Sequence, residues 1–295
     1  MLRQLLLFAS VLILVIACRT GNPVDNTSNT ETLTGFEQMD EVKDVYYRFP
    51  SPDEMLHFID REKLNFNEDI VLPVEHANSY LDSRSQALNL GVYIADMAYI
   101  TLFQRQKEAL TYFQVVYGLS DKLRISSAFD LDMMKRFEDN FNKPDSLKAL
   151  ADIALTDITD YLVANDKEKT FVMISIGGFV ESLYIAFQLA GDYDAENEIV
   201  QRISDQKYVL DNLINYSLEF SGDNNVSEAI AYLHPIRVVY NELLSTDEET
   251  RVEKDAEGKL IISGGNKINI TAEQYNKLRN VTFATRKKIT QNLEN

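Results

Sequence analysis

The chain has 295 residues, with 46 acidic side chains against 29 basic ones and a net charge of −17. A body this acidic is a poor partner for nucleic acid, whose binding rests on Lys and Arg neutralising phosphates. The hydrophobic share of 45 % is ordinary for a globular protein, so one large folded domain, alone or with an appendage, is expected behind the N-terminal stretch.

Residues 1–17 read as an export signal. Met1-Leu2-Arg3 is a short basic head, and residues 5–17 form an apolar run broken only by Ser10. That run is too short to cross a hydrocarbon layer of about 30 Å as a helix. It ends in Val15-Ile16-Ala17-Cys18, which resembles a bacterial lipobox. The resemblance implies that Cys18, the sole cysteine, becomes the mature N-terminus and carries a diacylglyceryl thioether with an N-acyl chain of the palmitate kind. Two or more chains anchor stably where one does not. The plainer alternative is an ordinary secretory signal with a chance cysteine. Residues 18–45 are expected to be a flexible tether, because 19 to about 40 are small and polar with no apolar period. No acid directly follows Cys18, so the outer membrane is expected over the inner one, with the face left open. The expected partners are therefore the membrane, through the lipid, and another envelope protein.

Residues 46–247 carry a helical apolar period nearly throughout. Ser51-Pro52-Asp53-Glu54 is a good helix start, with a hydroxyl cap, Pro at the first position and early acids. Further helices are expected from near Pro73 past Tyr80, then over 88–104, 107–124, 130–142, 145–165, 168–190, 195–220 and 227–244. Short turns between them favour antiparallel neighbours. The fold class is all-α: an antiparallel bundle, or an α-solenoid-like stack of two related helix–turn–helix units.

Residues 248–295 are expected to form a hairpin-helix appendage. Residues 248–257 read as a charged linker, and β-branched residues flanking Gly264-Gly265 suggest a β-hairpin over 259–270. Thr271-Ala272-Glu273-Gln274 is a capping-box pattern opening a last helix to about 292. From Lys259 on there are seven Lys/Arg and two Glu. Such a basic piece either packs on the acidic body or engages a separate acidic partner.

Two segments echo each other. Asp96-Met97-Ala98-Tyr99-Ile100 resembles Glu181-Ser182-Leu183-Tyr184-Ile185, each followed by Phe-Gln and each preceded by glycine (Gly91; Gly177-Gly178). Acid and Tyr at i, i+3 share a helix face, which groups Asp96 with Tyr93 and Tyr99, and Glu181 with Tyr184. A carboxylate in such apolar surroundings must be paired, hydrogen-bonded or protonated. Either Tyr hydroxyls and backbone donors satisfy both acids and lock the units together, or the acids face a cleft and bind a cation or polar ligand. The mid-helix glycines suit a close helix–helix contact or a ligand's approach.

Motifs of catalysis are missing. Glu54-Met55-Leu56-His57 is a single Glu-x-x-His where a di-iron bundle needs two. His76 and His234 complete no metal or triad spacing, and neither Gly-x-Ser-x-Gly nor a phosphate loop occurs. No catalytic residue, metal or cofactor is expected. The segments 90–99 and 176–184, with Gln104, resemble a group of lipoproteins common in Bacteroidota-type bacteria over roughly residues 50–245. That resemblance implies an all-helical fold and an envelope location, and it brings no activity with it.

Overall fold

A computed structural model describes residues 64–128, 131–140, 143, 146, 156–254 and 260–291, with side chains described except over 247–266 and at Leu131, Met134, Phe137 and Glu138. The export signal, Cys18, the tether and the helix expected after Ser51 lie outside the described residues.

An extended segment with two 3-10 turns, Glu68–Ile70 and Val74–Asn78, leads into α1 (Ser83–Leu102). Then come α2 (Gln106–Lys122), α3 (Leu131–Asn140), α4 (156–164), α5 (Glu168–Ala190), α6 (Glu198–Leu218) and α7 (Asn224–Tyr240). Strands β1 (Leu244–Lys254) and β2 (Leu260–Asn269) form a hairpin before α8 (Ala272–Thr290). The described part is all-α apart from this small sheet, as the apolar period predicts.

Each helix end has a local cause. Asp82 caps α1 by accepting from Ser85 N at 2.9 Å, Asn197 caps α6 from Ile199 N at 2.8 Å, and Asp223 caps α7. Thr271 and Gln274 form the predicted capping box at the head of α8. The ends of α1, α2 and α4 share one device. Gln104, Arg124 and Asp166 take φ of 56°, 58° and 54°, and the next residue's N–H returns to a carbonyl five back (Arg105 to Ile100, Ile125 to Ser120, Lys167 to Leu162). This is the Schellman stop, made without the usual glycine.

Two expectations are corrected. Residues 73–80 form a 3-10 turn over Val74–Asn78 that ends in a turn at Ser79, not an α-helix; the next helix starts at Ser83, capped by the Asp82 carboxylate. The hairpin does not turn at Gly264-Gly265. Both glycines lie inside β2, with Gly265 opposite Glu248, and the expected linker is most of β1. Glu and Thr made that segment look solvated, yet its alternation suits an antiparallel partner, with Leu244 opposite Asn269 and Val252 opposite Ile262. The register shifts between Glu248 and Arg251, opposite the glycine pair, as expected where Gly sits inside a strand.

At the centre α1 packs on α5, with α2 beside α1, α6 beside α5, and α7 and α8 closing another side. α5 is apolar all round. Among the described residues it is the one helix long and apolar enough to cross a membrane, but 89 % of its most apolar stretch is buried within the protein. A helix apolar on every side belongs in a core, and α5 is this core's axis.

Glycines set the crossing. A Cβ on Gly91 would lie 1.9 Å from Ile174 O, and one on Gly177 would lie 1.8 Å from Leu88 O. Further along both helices Asp96 meets Glu181. The crossing joins residues 88–91 of α1 to 174–178 of α5, and the acids meet beyond it toward the C-terminal end of both, so the two helices run in the same direction. Gly118 on α2 is different, with open space for 4 Å around the point where a methyl group would sit. Gly118→Ala is expected to raise stability by about 1 kcal/mol, measured as a shift of the urea midpoint.

Candidate functional site

The two acids of the sequence echo meet in the middle of the core. Asp96 on α1 and Glu181 on α5 are both 0 % exposed. The cation that answers them comes from α8. Arg286 Nε donates to Glu181 Oε2 at 2.7 Å and Oε1 at 3.0 Å, and its NH2 group donates to Oε1 at 2.8 Å. The guanidinium lies over the Tyr184 ring, 4.0 Å from its centroid, a cation–π arrangement that gains strength from the burial of the ring. Phe283 packs on the same ring at 4.7 Å.

Asp96 has a different set of neighbours. Its Oδ2 accepts from Leu72 N at 3.0 Å, while Oδ1 finds no donor as long as the group is ionised. Burial pushes the Asp96 carboxyl well above the ordinary carboxylate range. The charge of Glu181 pushes the same way, and Arg286 offsets only part of this. Burial also raises Glu181, against the charge and hydrogen bonds of Arg286. Among the described residues one cation, Arg286, faces the two acids, and its donors go to Glu181 and Ile70 O and none to Asp96.

The tyrosines serve a different purpose. Tyr93 OH donates to Pro73 O at 2.9 Å, Tyr112 OH to Leu72 O at 2.9 Å, and Tyr99 OH exchanges bonds with the backbone of Asn67 at 3.0 and 3.4 Å. Tyr184 OH accepts from Gln188 Nε2 at 2.7 Å. Tyr93, Tyr99 and Tyr184 therefore surround the acids without hydrogen-bonding to them. Three hydroxyls fasten the backbone of 67–73 onto α1 and α2, and Arg286 adds a bond to Ile70 O at 3.3 Å. Burial raises the hydroxyls of Tyr93 and Tyr112 above their ordinary value, so they remain donors throughout the neutral range.

Of the sequence-predicted residues, Asp96, Glu181 and Tyr184 belong to one cluster, while Tyr93 and Tyr99 form its rim. Sequence reasoning missed Arg286 and Leu72. The signal for Arg286 was present: it shares a face with buried Leu278, Thr282 and Ile289, at helical spacing on α8. The basic last helix thus packs on the acidic body, and Lys277 adds an exposed pair with Glu242 at 2.6 Å. Leu72 acts through its backbone N–H, for which side-chain patterns give no cue. The cluster's chemistry is that of a closed ion pair. The place a bound cation would take beside the carboxylates is filled by the guanidinium. Among the described residues no group of three His, Cys, Asp or Glu is placed to hold a metal ion. Comparison with family models, curated proteins and solved structures finds no match to this chain.

Proposed function

We propose that the chain is a lipid-anchored lipoprotein of the cell envelope whose helical body is a non-enzymatic interaction module. One observation carries the second half of this reading. The residues best suited to chemistry, Asp96 and Glu181, are wholly buried, with Glu181 held by Arg286 and Asp96 Oδ2 by Leu72 N. That arrangement stabilises a shape and exposes neither carboxylate to solvent, which favours a scaffold over a receptor for a cation or small polar ligand. The first half rests on the resemblance of Val15-Ile16-Ala17-Cys18 to a lipobox, with acyl chains holding an acidic body that anionic surfaces repel.

Membrane fractionation tests the anchor. Wild type is expected to sediment with membranes and to be released by detergent, while Cys18→Ser is expected to stay in the supernatant; equal sedimentation of both overturns the anchoring. Affinity capture of the detergent-solubilised protein tests the module, with a stoichiometric envelope protein as the expected product. Retention of a small molecule by the purified protein, lost in Glu181→Gln, would overturn it in favour of ligand binding.

A further inference from the structure

Among the described residues, 64–73 form a strap over the acid cluster. Ile70, Val71 and Leu72 are buried on its underside, while Glu68, Asp69 and Pro73 face solvent. Two of its fastenings go to the cluster itself: Leu72 N to Asp96 Oδ2 and Ile70 O to Arg286. The other three go to Tyr hydroxyls on α1 and α2. Phe66 completes the seam, stacked on Tyr99 at 5.4 Å with Arg105 over its ring at 4.9 Å.

We propose that Asp96 and Glu181 hold one proton between them and that its release unfastens the strap 64–73 from the helical body, making the strap a proton-linked latch.

Charge and access together lead there. Among the described residues two fully buried carboxylates face one partly exposed guanidinium, so the trio is neutral with one proton and carries an uncompensated negative charge without it. An unpaired buried charge must be hydrated or relieved. Parting α1 from α5 would break the backbone-to-backbone crossing at Gly91 and Gly177, and moving α8 would break the Arg286 bonds. Lifting the strap leaves the crossing and the Arg286–Glu181 bonds intact and lets water reach Asp96, a hydration that must outweigh the lost Leu72 N–H bond, which itself favours the ionised carboxylate. Among the described residues, no other ionisable group facing the cluster can substitute for the lost proton. From α5 there are Glu181 and Tyr184, from α8 Arg286, from α2 Tyr112, from the segment before α1 Tyr80 and the exposed Glu75, and on α1 itself Tyr93 and Tyr99. Burial keeps Tyr80, Tyr93, Tyr99 and Tyr112 neutral, and the two acids keep Arg286 charged, across the range in which a carboxyl titrates.

The sign follows from linkage. The fastened state holds a proton that the unfastened state gives up at an ordinary carboxylate value, about pH 4. Fastening is therefore complete at and below that pH and weakens as pH rises toward the raised value of the buried pair. Within that window the strap's opening equilibrium grows about tenfold per pH unit, one proton being released per opening. Above it the dependence flattens.

Native-state hydrogen exchange of the full chain, followed by mass spectrometry across pH and expressed as protection factors, tests the latch. In wild type the protection of peptides within 64–73 is expected to fall about tenfold per pH unit in the window, at opening energies below those of α5. In Asp96→Asn, whose amide donates to Glu181 and accepts from Leu72 N with no proton to lose, the same peptides should hold level protection into alkaline pH. An equal slope in both proteins overturns the proposal, as does strap exchange that occurs only together with α5. If Asp96→Asn does not fold, infrared spectroscopy of wild type decides. The carbonyl stretch of a protonated carboxyl group must persist above about pH 6, where exposed carboxyls are ionised, and disappear over the same pH range in which strap protection falls; its absence there overturns the latch.

Discussion

Arg286→Met is expected to cost about 3–5 kcal/mol of stability, read as a lowered urea midpoint near neutral pH. Methionine fills much of the space, so the loss is electrostatic. Three donor contacts to Glu181, one to Ile70 O and the stack on Tyr184 all disappear, leaving two acids in the core with no cation. The deficit should shrink as pH falls toward about 4, where the unfolded carboxylates also begin to take up protons. Both acids sit higher in the fold than in the unfolded chain, so protonation favours the fold, and the variant depends on it more than wild type does. Arg286→Lys should recover only part of the loss, since an ammonium neither bridges both Glu181 oxygens in one plane nor stacks on Tyr184.

Gly177→Ala is expected to destabilise by about 3 kcal/mol or more, at or beyond the upper end of ordinary overpacking, and Gly91→Ala by a similar amount. The added methyl at 177 would sit 1.8 Å from Leu88 O and 2.7 Å from its carbonyl carbon; at 91 it would meet Ile174 O at 1.9 Å and Gly178 N at 2.6 Å. These are backbone atoms of the facing helix, so no rotamer change relieves the clash. The helices must move apart, and the Asp96–Glu181 contact lies along the same seam. Urea midpoints read the effect, with Gly118→Ala as the control in which the same chemical change meets open space.

The sequence made the helical fold legible because apolar spacing is a local property. The limits of α5 were readable from its unbroken apolar run and from Gly191, whose φ of 69° closes the helix. The capping box at Thr271 was equally plain. Pairing across long separations was less visible. Residues 248–254 carry Glu, Thr and a single Val, and they read as part of a linker until β2 is seen beside them. The Schellman stops at Gln104, Arg124 and Asp166 lacked the glycine that usually marks them.

The candidate site was half legible. Asp96 and Glu181 stood out as acids in apolar helices about 85 positions apart, and they meet because α1 packs on α5. Arg286 was hidden by its place in a basic segment read as an appendage, although a buried acid pair demands a cation. Of the tyrosines grouped with the acids, Tyr93 and Tyr99 turn their hydroxyls to the backbone of 67–73, joined there by Tyr112, because those strap carbonyls and amides lack strand or helix partners and must be satisfied when buried. Tyr80 and Asn89 do the same for the end of α8, donating to Thr290 O and Ile289 O at 3.0 Å each.

If Glu181 exists to pair with Arg286 inside the core, removing both should hurt far less than removing each in turn. A double-mutant cycle with Glu181→Gln, Arg286→Met and their combination, read by urea unfolding at neutral pH, tests this most directly. Each single change should be strongly destabilising, and the double variant should lose less than the sum, with a coupling of about 1–3 kcal/mol. Strictly additive losses would contradict it, because the two side chains would then be independent and the buried pair would not be what holds α8 to the core.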